Sequence, residues 1–196
     1  GYLARRFLWT GIYLSGCLAC FLGALARTAP GARRAALGVA VVTVLLGGAQ
    51  TVAALAGRGR SLWAELLGMA GLASAAPLVA VVSGHPVDAR ALSAALLALA
   101  YFVSSLVFVR AYRARARGEA RAAVPCLAAH AVLGALLALL WMTGFIPAGA
   151  LAAFAPVFTR TAWGLMSPPK NIRALGWSEV AVALLFTGVA LASLAL

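Results

Sequence analysis

The chain has 196 residues, of which 64% are hydrophobic and only 10% charged. A soluble domain carries about 25% charged and about 45–50% apolar residues, so one aqueous core cannot hide this apolar mass and lipid is the expected solvent for much of it. The net charge is +12; because the arginines fall between hydrophobic runs, they point to the bilayer and its anionic headgroups rather than to nucleic acid.

A membrane-crossing helix needs about 20 mainly apolar residues, and seven stretches qualify in chain order. The first is Phe7 to Ala26, carrying Cys17 and Cys20. After a loop with Arg27, Arg33 and Arg34 comes the second, Ala35 to Ala56, closed by the turn GRGR at Gly57 to Arg60. The third, Ser61 to Ser83, is followed by a short turn, Gly84 to Arg90, with His85 and Asp88. The fourth runs from Ala91 to Val109 into a collar of five arginines: Arg110, Arg113, Arg115, Arg117 and Arg121. The fifth is Ala122 to Thr143. The sixth, Ala148 to Leu165, is interrupted by Pro156 and Arg160. The loop SPPKNIR leads to the seventh, Ala174 to Leu196. The runs are too long, and alternate too little, for strands. The expected fold is therefore a single all-α domain, an integral membrane bundle with seven visible transmembrane helices. Its first residue is Gly1, so a missing N-terminal segment is expected.

Basic residues set the orientation. Twelve fall on the collar side: Arg5, Arg6, Arg58, Arg60, the five collar arginines, Arg160, Lys170 and Arg173. Four fall on the other: Arg27, Arg33, Arg34 and Arg90. The positive-inside rule puts the collar in the cytoplasm and Leu196 outside. Trp9, Trp63, Trp163 and Trp177 near the collar ends, and Trp141 near the opposite end, fit interfacial belts. The abundance of alanine and of arginine over lysine is compositionally bacterial, so the expected location is a bacterial cytoplasmic membrane.

Ionisable and amide groups at membrane depth each need a physical reason. Gln50, Glu65, Tyr101, His130, Arg160 and Glu179 all fall in the collar-side half of their spans; His130 lies about 13 Å of helix rise beyond Arg121. Glu65 stands beside a stripe of small residues, Ala64, Gly68, Gly71 and Ala75, which lets a neighbouring helix approach closely. These six are expected to converge on a cytoplasm-facing polar cavity for a lipid-like or small anionic ligand. Arg160 is the expected anion-binding group because its planar fork suits an oxyanion. Each residue also has a plainer reading. Glu65 and Glu179 can cap helix starts and pair with Arg58, Arg60 or Arg173. Arg160 can snorkel to the headgroups. His130 can make a structural hydrogen bond to a neighbouring helix.

Catalytic and cofactor signatures are lacking. Cys17-x-x-Cys20 lies mid-span and reads, like Cys126, as small apolar residues. There is no glycine-rich phosphate loop, no H-E-x-x-H and no G-x-S-x-G. No cofactor or metal is expected, and catalysis is not the favoured activity. A small transporter using Glu65, His130, Arg160 and Glu179 as its path is the alternative.

The segments GRGRSLWAELLGMAGL, YFVSSLVFVRAYRARARGEAR, CLAAHAVLGALL, FAPVFTRTAWGL and SPPKNIRALGWSEVAVALLF, in that order, resemble the YwiC-like family of bacterial multi-spanning membrane proteins over about Gly57 to Leu196. The family's opening Gln/Glu-His-Gly-Ala-Trp segment is absent here. The chain also distantly resembles the UbiA-type prenyltransferases, nine-helix bundles with a cytoplasm-facing cavity. That resemblance implies a divergent prenyl- or lipid-transferring enzyme as a further alternative. The collar falls where that superfamily carries its second aspartate-rich motif, but it has arginines and Glu119 and no D-x-x-x-D. The carboxylates that would bridge Mg²⁺ to a diphosphate are missing.

Overall fold

A computed structural model describes residues 19, 22–26, 28–167 and 172–195. Most of the first expected span, with Cys17 and Cys20, lies outside them, as do Arg5, Arg6, Trp9, Arg27 and Lys170. Among the described residues every regular element is helical. In chain order these are α1 (Pro30–Leu55), α2 (Leu62–Ala73), α3 (Ala75–Val82), α4 (Ala89–Ala116), a 3-10 turn (Ala120–Ala122), α5 (Ala123–Met142), α6 (Ala148–Ala153), α7 (Ala155–Met166) and α8 (Ile172–Ala195).

Five helical stretches are long and apolar enough to cross a membrane, with α2 and α3 together forming one of them. Their surfaces face outward with apolar groups: Val44 is 70% exposed, Leu55 85% and Leu184 70%. In water such a surface would be unfavourable at about 25 cal/mol per Å²; in lipid it is the natural exterior. Trp63, Trp163 and Trp177 are exposed towards the collar end, and Trp141 is exposed at the other. The described fold is that of a membrane-embedded helical bundle.

Two spans are broken, the third against expectation and the sixth at its expected interruption, and proline is the cause in both. The third is broken at Ser74 into α2 and α3, and the sixth at Phe154 into α6 and α7. Pro77 and Pro156 lack the N–H that would bond four residues back, and their rings crowd the carbonyls of Ala73 and Ala152. As a result α6 has 6 residues and α7 has 12, neither long enough to cross a bilayer alone. Pro125 breaks nothing because it lies in the first turn of α5.

The collar also departs from a simple loop. α4 continues seven residues beyond Val109, so Arg110, Arg113 and Arg115 lie on its last turns, where basic residues suit the helix dipole. Only Arg117 and Arg121 fall beyond it. The Asp88 side chain caps the other end of α4, accepting from the Ala91 N–H at 2.9 Å.

α4 is the hub of the bundle. It packs against α2 and α3 on one side and α5, α7 and α8 on the other, while α1 lies outside against α2 and α3. The larger core joins Leu97 and Tyr101 of α4, Leu137 of α5, Ala150 of α6, Val157 of α7 and Phe186 of α8. A second cluster at the collar end joins Phe108 and Tyr112 of α4 with Cys126, Leu165 and Leu175.

Candidate functional site

The small stripe on α2 faces α1. A Cβ added at Gly68 would lie 2.6 Å from the Gln50 Cδ, and one at Gly71 would sit 3.7 Å from the Leu46 Cβ. Gln50 is thus held at the α1–α2 contact. Glu65 turns to α4: its Oε2 accepts from the Arg110 Nε at 3.0 Å and Nη2 at 2.7 Å. The same Nη2 donates to the Arg60 carbonyl at 2.7 Å. This pair ties the GRGR turn to the collar. It is partly open to solvent, with Glu65 27% and Arg110 41% exposed at the side chain.

On the opposite side of α4 the other polar residues meet. Arg160 of α7 is buried. Its Nη1 donates to both Glu179 carboxylate oxygens, at 2.6 and 2.5 Å. Glu179, on α8, also accepts from the Ser105 hydroxyl of α4. The Tyr101 hydroxyl reaches the Glu179 main-chain carbonyl at 3.4 Å, and its ring stacks on Phe186 with centroids 4.6 Å apart. The Phe108 ring lies over the Arg160 guanidinium, 4.4 Å from Cζ to centroid, a contact that stabilises a desolvated cation.

His130 forms a second node on the same four-helix seam. Its Nδ1 lies 2.8 Å from the Cys126 carbonyl, which can only accept, so Nδ1 carries the proton in that bond. In the neutral ring Nε2 is then an acceptor, and the Ser104 hydroxyl at 2.8 Å donates to it. The Thr161 hydroxyl stands 3.1 Å from Nε2, while its proton goes to the Val157 carbonyl at 2.9 Å. Both ring nitrogens are thereby satisfied, Nδ1 within α5 and Nε2 by a bond from α4.

Of the six residues singled out by sequence, the structure joins Tyr101, Arg160 and Glu179 directly. His130 stands beside them through the adjacent pairs Ser104–Ser105 and Arg160–Thr161. Gln50 and Glu65 belong to the α1–α2–α4 side. Ser104 and Ser105 are legible as polar residues at depth. Thr161 gives little signal beyond standing next to Arg160, because a hydroxyl at mid-membrane is cheap once it bonds the carbonyl four residues back.

A cavity of about 560 Å³ opens beside this seam. One wall is a single face of α7, Ala155, Pro156, Thr159, Arg160, Trp163, Gly164 and Ser167, recurring every three to four residues. At 1.5 Å per residue that face is about 18 Å long. Phe108 and Tyr112 of α4 and Ala174, Leu175 and Ser178 of α8 complete the lining. The volume lies within the usual range of small-molecule pockets, about 300–1,000 Å³. Arg115 lies near the collar end, its Nη1 donating to the Gly164 and Ser167 carbonyls, both at 3.3 Å. Arg160 is the charged side chain among the described lining residues. Its Nε and Nη2 are buried and have no hydrogen-bond acceptor among the described residues.

The four acids of the chain are all engaged: Glu65, Glu119 and Glu179 in ion pairs and Asp88 as a helix cap. No group of three His, Cys, Asp or Glu side chains able to hold a metal ion occurs among the described residues.

Fold and site together define a multi-helix membrane-embedded protein with one buried arginine in the wall of a largely apolar cavity. Comparisons of the chain with protein-family models, with curated proteins and with solved structures find no match.

Proposed function

We propose that this is a multi-pass membrane protein of the YwiC-like type that binds an amphiphile with an anionic head in the cavity between α4, α7 and α8. In this reading the seven spans are part of a nine-helix bundle of the UbiA kind. The bundle lies in a bacterial cytoplasmic membrane with the collar on the cytoplasmic side. The exposed collar arginines Arg113, Arg117 and Arg121 lie against anionic headgroups, each contributing about 1 kcal/mol near such a surface.

The observation that carries the reading is Arg160. A buried guanidinium with two unmatched nitrogens is costly, and here it lines an elongated cavity with apolar walls. Those properties fit a ligand with an anionic head and an apolar body. Binding is favoured over metal-dependent transfer because the four acids are already committed to other partners. It is favoured over transport because the linked ionisable groups stay at the collar end of the bundle.

The test is retention through purification. The chain is extracted in a mild neutral detergent, and its co-purifying lipids are measured against those of Arg160→Ala. An anionic amphiphile near one per chain in the parent, and depleted at least tenfold in the variant, is expected. Equal lipid profiles for both proteins overturn the reading.

A further inference from the structure

Resting on that reading, we propose that the site is built for a head of single negative charge, a carboxylate or a phosphodiester, held on the Nε/Nη2 edge of Arg160 while Glu179 keeps Nη1. The argument begins with the shape of the guanidinium. Nε–H and one Nη2–H point the same way and form a two-pronged fork that matches two oxygens of one oxyanion. Glu179 occupies Nη1, and the two atoms left without an acceptor among the described residues are the two prongs of that fork. The Phe108 ring covers the face of the group and not its edge, so it compensates charge without accepting the in-plane hydrogens. Carboxylate and phosphodiester share the required chemistry: two oxygens and one negative charge.

Charge decides between one negative charge and two. Arg160 and Glu179 cancel. Among the described residues, the other cation fixed to the cavity wall is Arg115, one to two turns of α7 nearer the collar through its bonds to Gly164 and Ser167. His130 is satisfied by neutral partners behind Thr161 and adds no charge. Tyr101 is neutral and directed at a carbonyl. Arg173, on the first turn of α8, is exposed, where solvent screens it. A monoanion is therefore balanced by the Arg115 charge. A dianion leaves one negative charge uncompensated beside the Glu179 carboxylate, in a site where such charge is poorly tolerated. Glu179 thus acts as a selectivity element: it orients Arg160 and also caps the charge the cavity accepts.

The experiment measures saturable binding of four probes to the purified full chain in neutral mixed micelles. The probes are oleate, phosphatidylglycerol, phosphatidic acid and phosphatidylcholine, at about pH 9, well above the second ionisation of a phosphomonoester near 6. Oleate or phosphatidylglycerol binds the parent, and which of them binds identifies a free carboxylate or a lipid phosphodiester as the source. Phosphatidic acid binds at least tenfold more weakly, and phosphatidylcholine does not compete. Arg160→Lys keeps the charge but removes the fork, and weakens the monoanions about tenfold. Glu179→Gln removes the competing charge while keeping an oxygen for Nη1, and shifts preference at least tenfold towards phosphatidic acid. Should that variant fail to fold, Arg115→Gln serves instead, weakening the monoanion several-fold and widening discrimination against the dianion. Equal binding of phosphatidic acid and phosphatidylglycerol by the parent overturns the single-charge inference and leaves the binding reading standing. No saturable binding of any anionic probe overturns the reading itself.

Discussion

Replacing Glu179 with alanine isolates the energetics at the centre of the site. Arg160 is 6% exposed at its side chain and Glu179 18%, so the pair lies largely outside solvent screening. Removing one partner of such a pair leaves an uncompensated buried charge and typically costs about 3–5 kcal/mol. The substitution also takes the acceptor from Ser105, adding about 1 kcal/mol unless that hydroxyl turns to a carbonyl of its own helix. The total is a large share of a typical 5–15 kcal/mol stability. The companion variant, Arg160→Met with Glu179→Leu, removes both charges and fills the space. It is expected within about 1 kcal/mol of the parent, because desolvation offsets much of the attraction in a buried pair. Unfolding from mild into denaturing detergent, followed by circular dichroism, is measured for Glu179→Ala and for the four corners of the cycle: the parent, Arg160→Met, Glu179→Leu and their combination. A Glu179→Ala cost below about 1 kcal/mol, with the double variant equal to the sum of its parts, would refute the reasoning. The pair would then be no stronger than one on a wet surface.

Other substitutions probe the remaining contacts. His130→Leu removes the bonds to Ser104 and the Cys126 carbonyl and is expected to cost about 1–2 kcal/mol in the same titration; a more stable variant contradicts the assignment of His130 as a satisfied link between α4 and α5. Gly164→Ala places a Cβ 2.6 Å from the Phe108 Cζ and should cost about 1–3 kcal/mol, with Phe108→Leu recovering most of the loss; no recovery means the clash lies elsewhere. Glu65→Gln, at a half-open pair, should cost about 0.2–1 kcal/mol, and a loss as large as that of Glu179→Ala would show that Glu65 is not the solvated tie described above. A reporter at Gly118 should give a cytoplasmic signal and one beside Asp88 an external signal; the reverse pattern inverts the bundle.

Helix identity was legible in the sequence because a 20-residue apolar run has few other physical solutions. Helix ends were less so. Hydropathy stops at Val109, but arginine and alanine are strong helix formers, so α4 runs on to Ala116; the edge of the lipid is not the edge of the helix. At depth, sequence could say that each charged residue needs a partner but not which one. The hydropathy pattern groups Glu65 with Arg160 and Glu179 in one cavity, or, on the plainer reading, pairs it with Arg58, Arg60 or Arg173. Glu65 takes Arg110 instead, from a helix 45 residues away, and Arg60 contributes only its carbonyl. Glu179 reaches past its own first turn to Arg160. Such choices depend on which helix faces adjoin, information carried by packing rather than by any local run of residues.

The two proline breaks show how the same local defect serves two ends. Both leave backbone carbonyls without their helical partner, and inside a membrane those groups must be satisfied or must border a cavity. At the first break the chain is tied to its neighbour: the Ser74 hydroxyl donates to the Gly71 carbonyl and meets the Thr43 hydroxyl of α1, both at 2.6 Å. That kink is sealed by neighbouring protein. At the second break the intervening residue is Phe154, which has no hydroxyl to offer, and Ala155 and Pro156 immediately after it line the cavity. The break also begins a new helix five residues before Arg160, inside the bundle. Beyond the break α7 presents Arg160 to α4 and α8, where Phe108 and Glu179 receive it. The interruption of the sixth span, the position of the arginine and the cavity beside it are therefore one structural feature, and Pro156 is the residue that begins it.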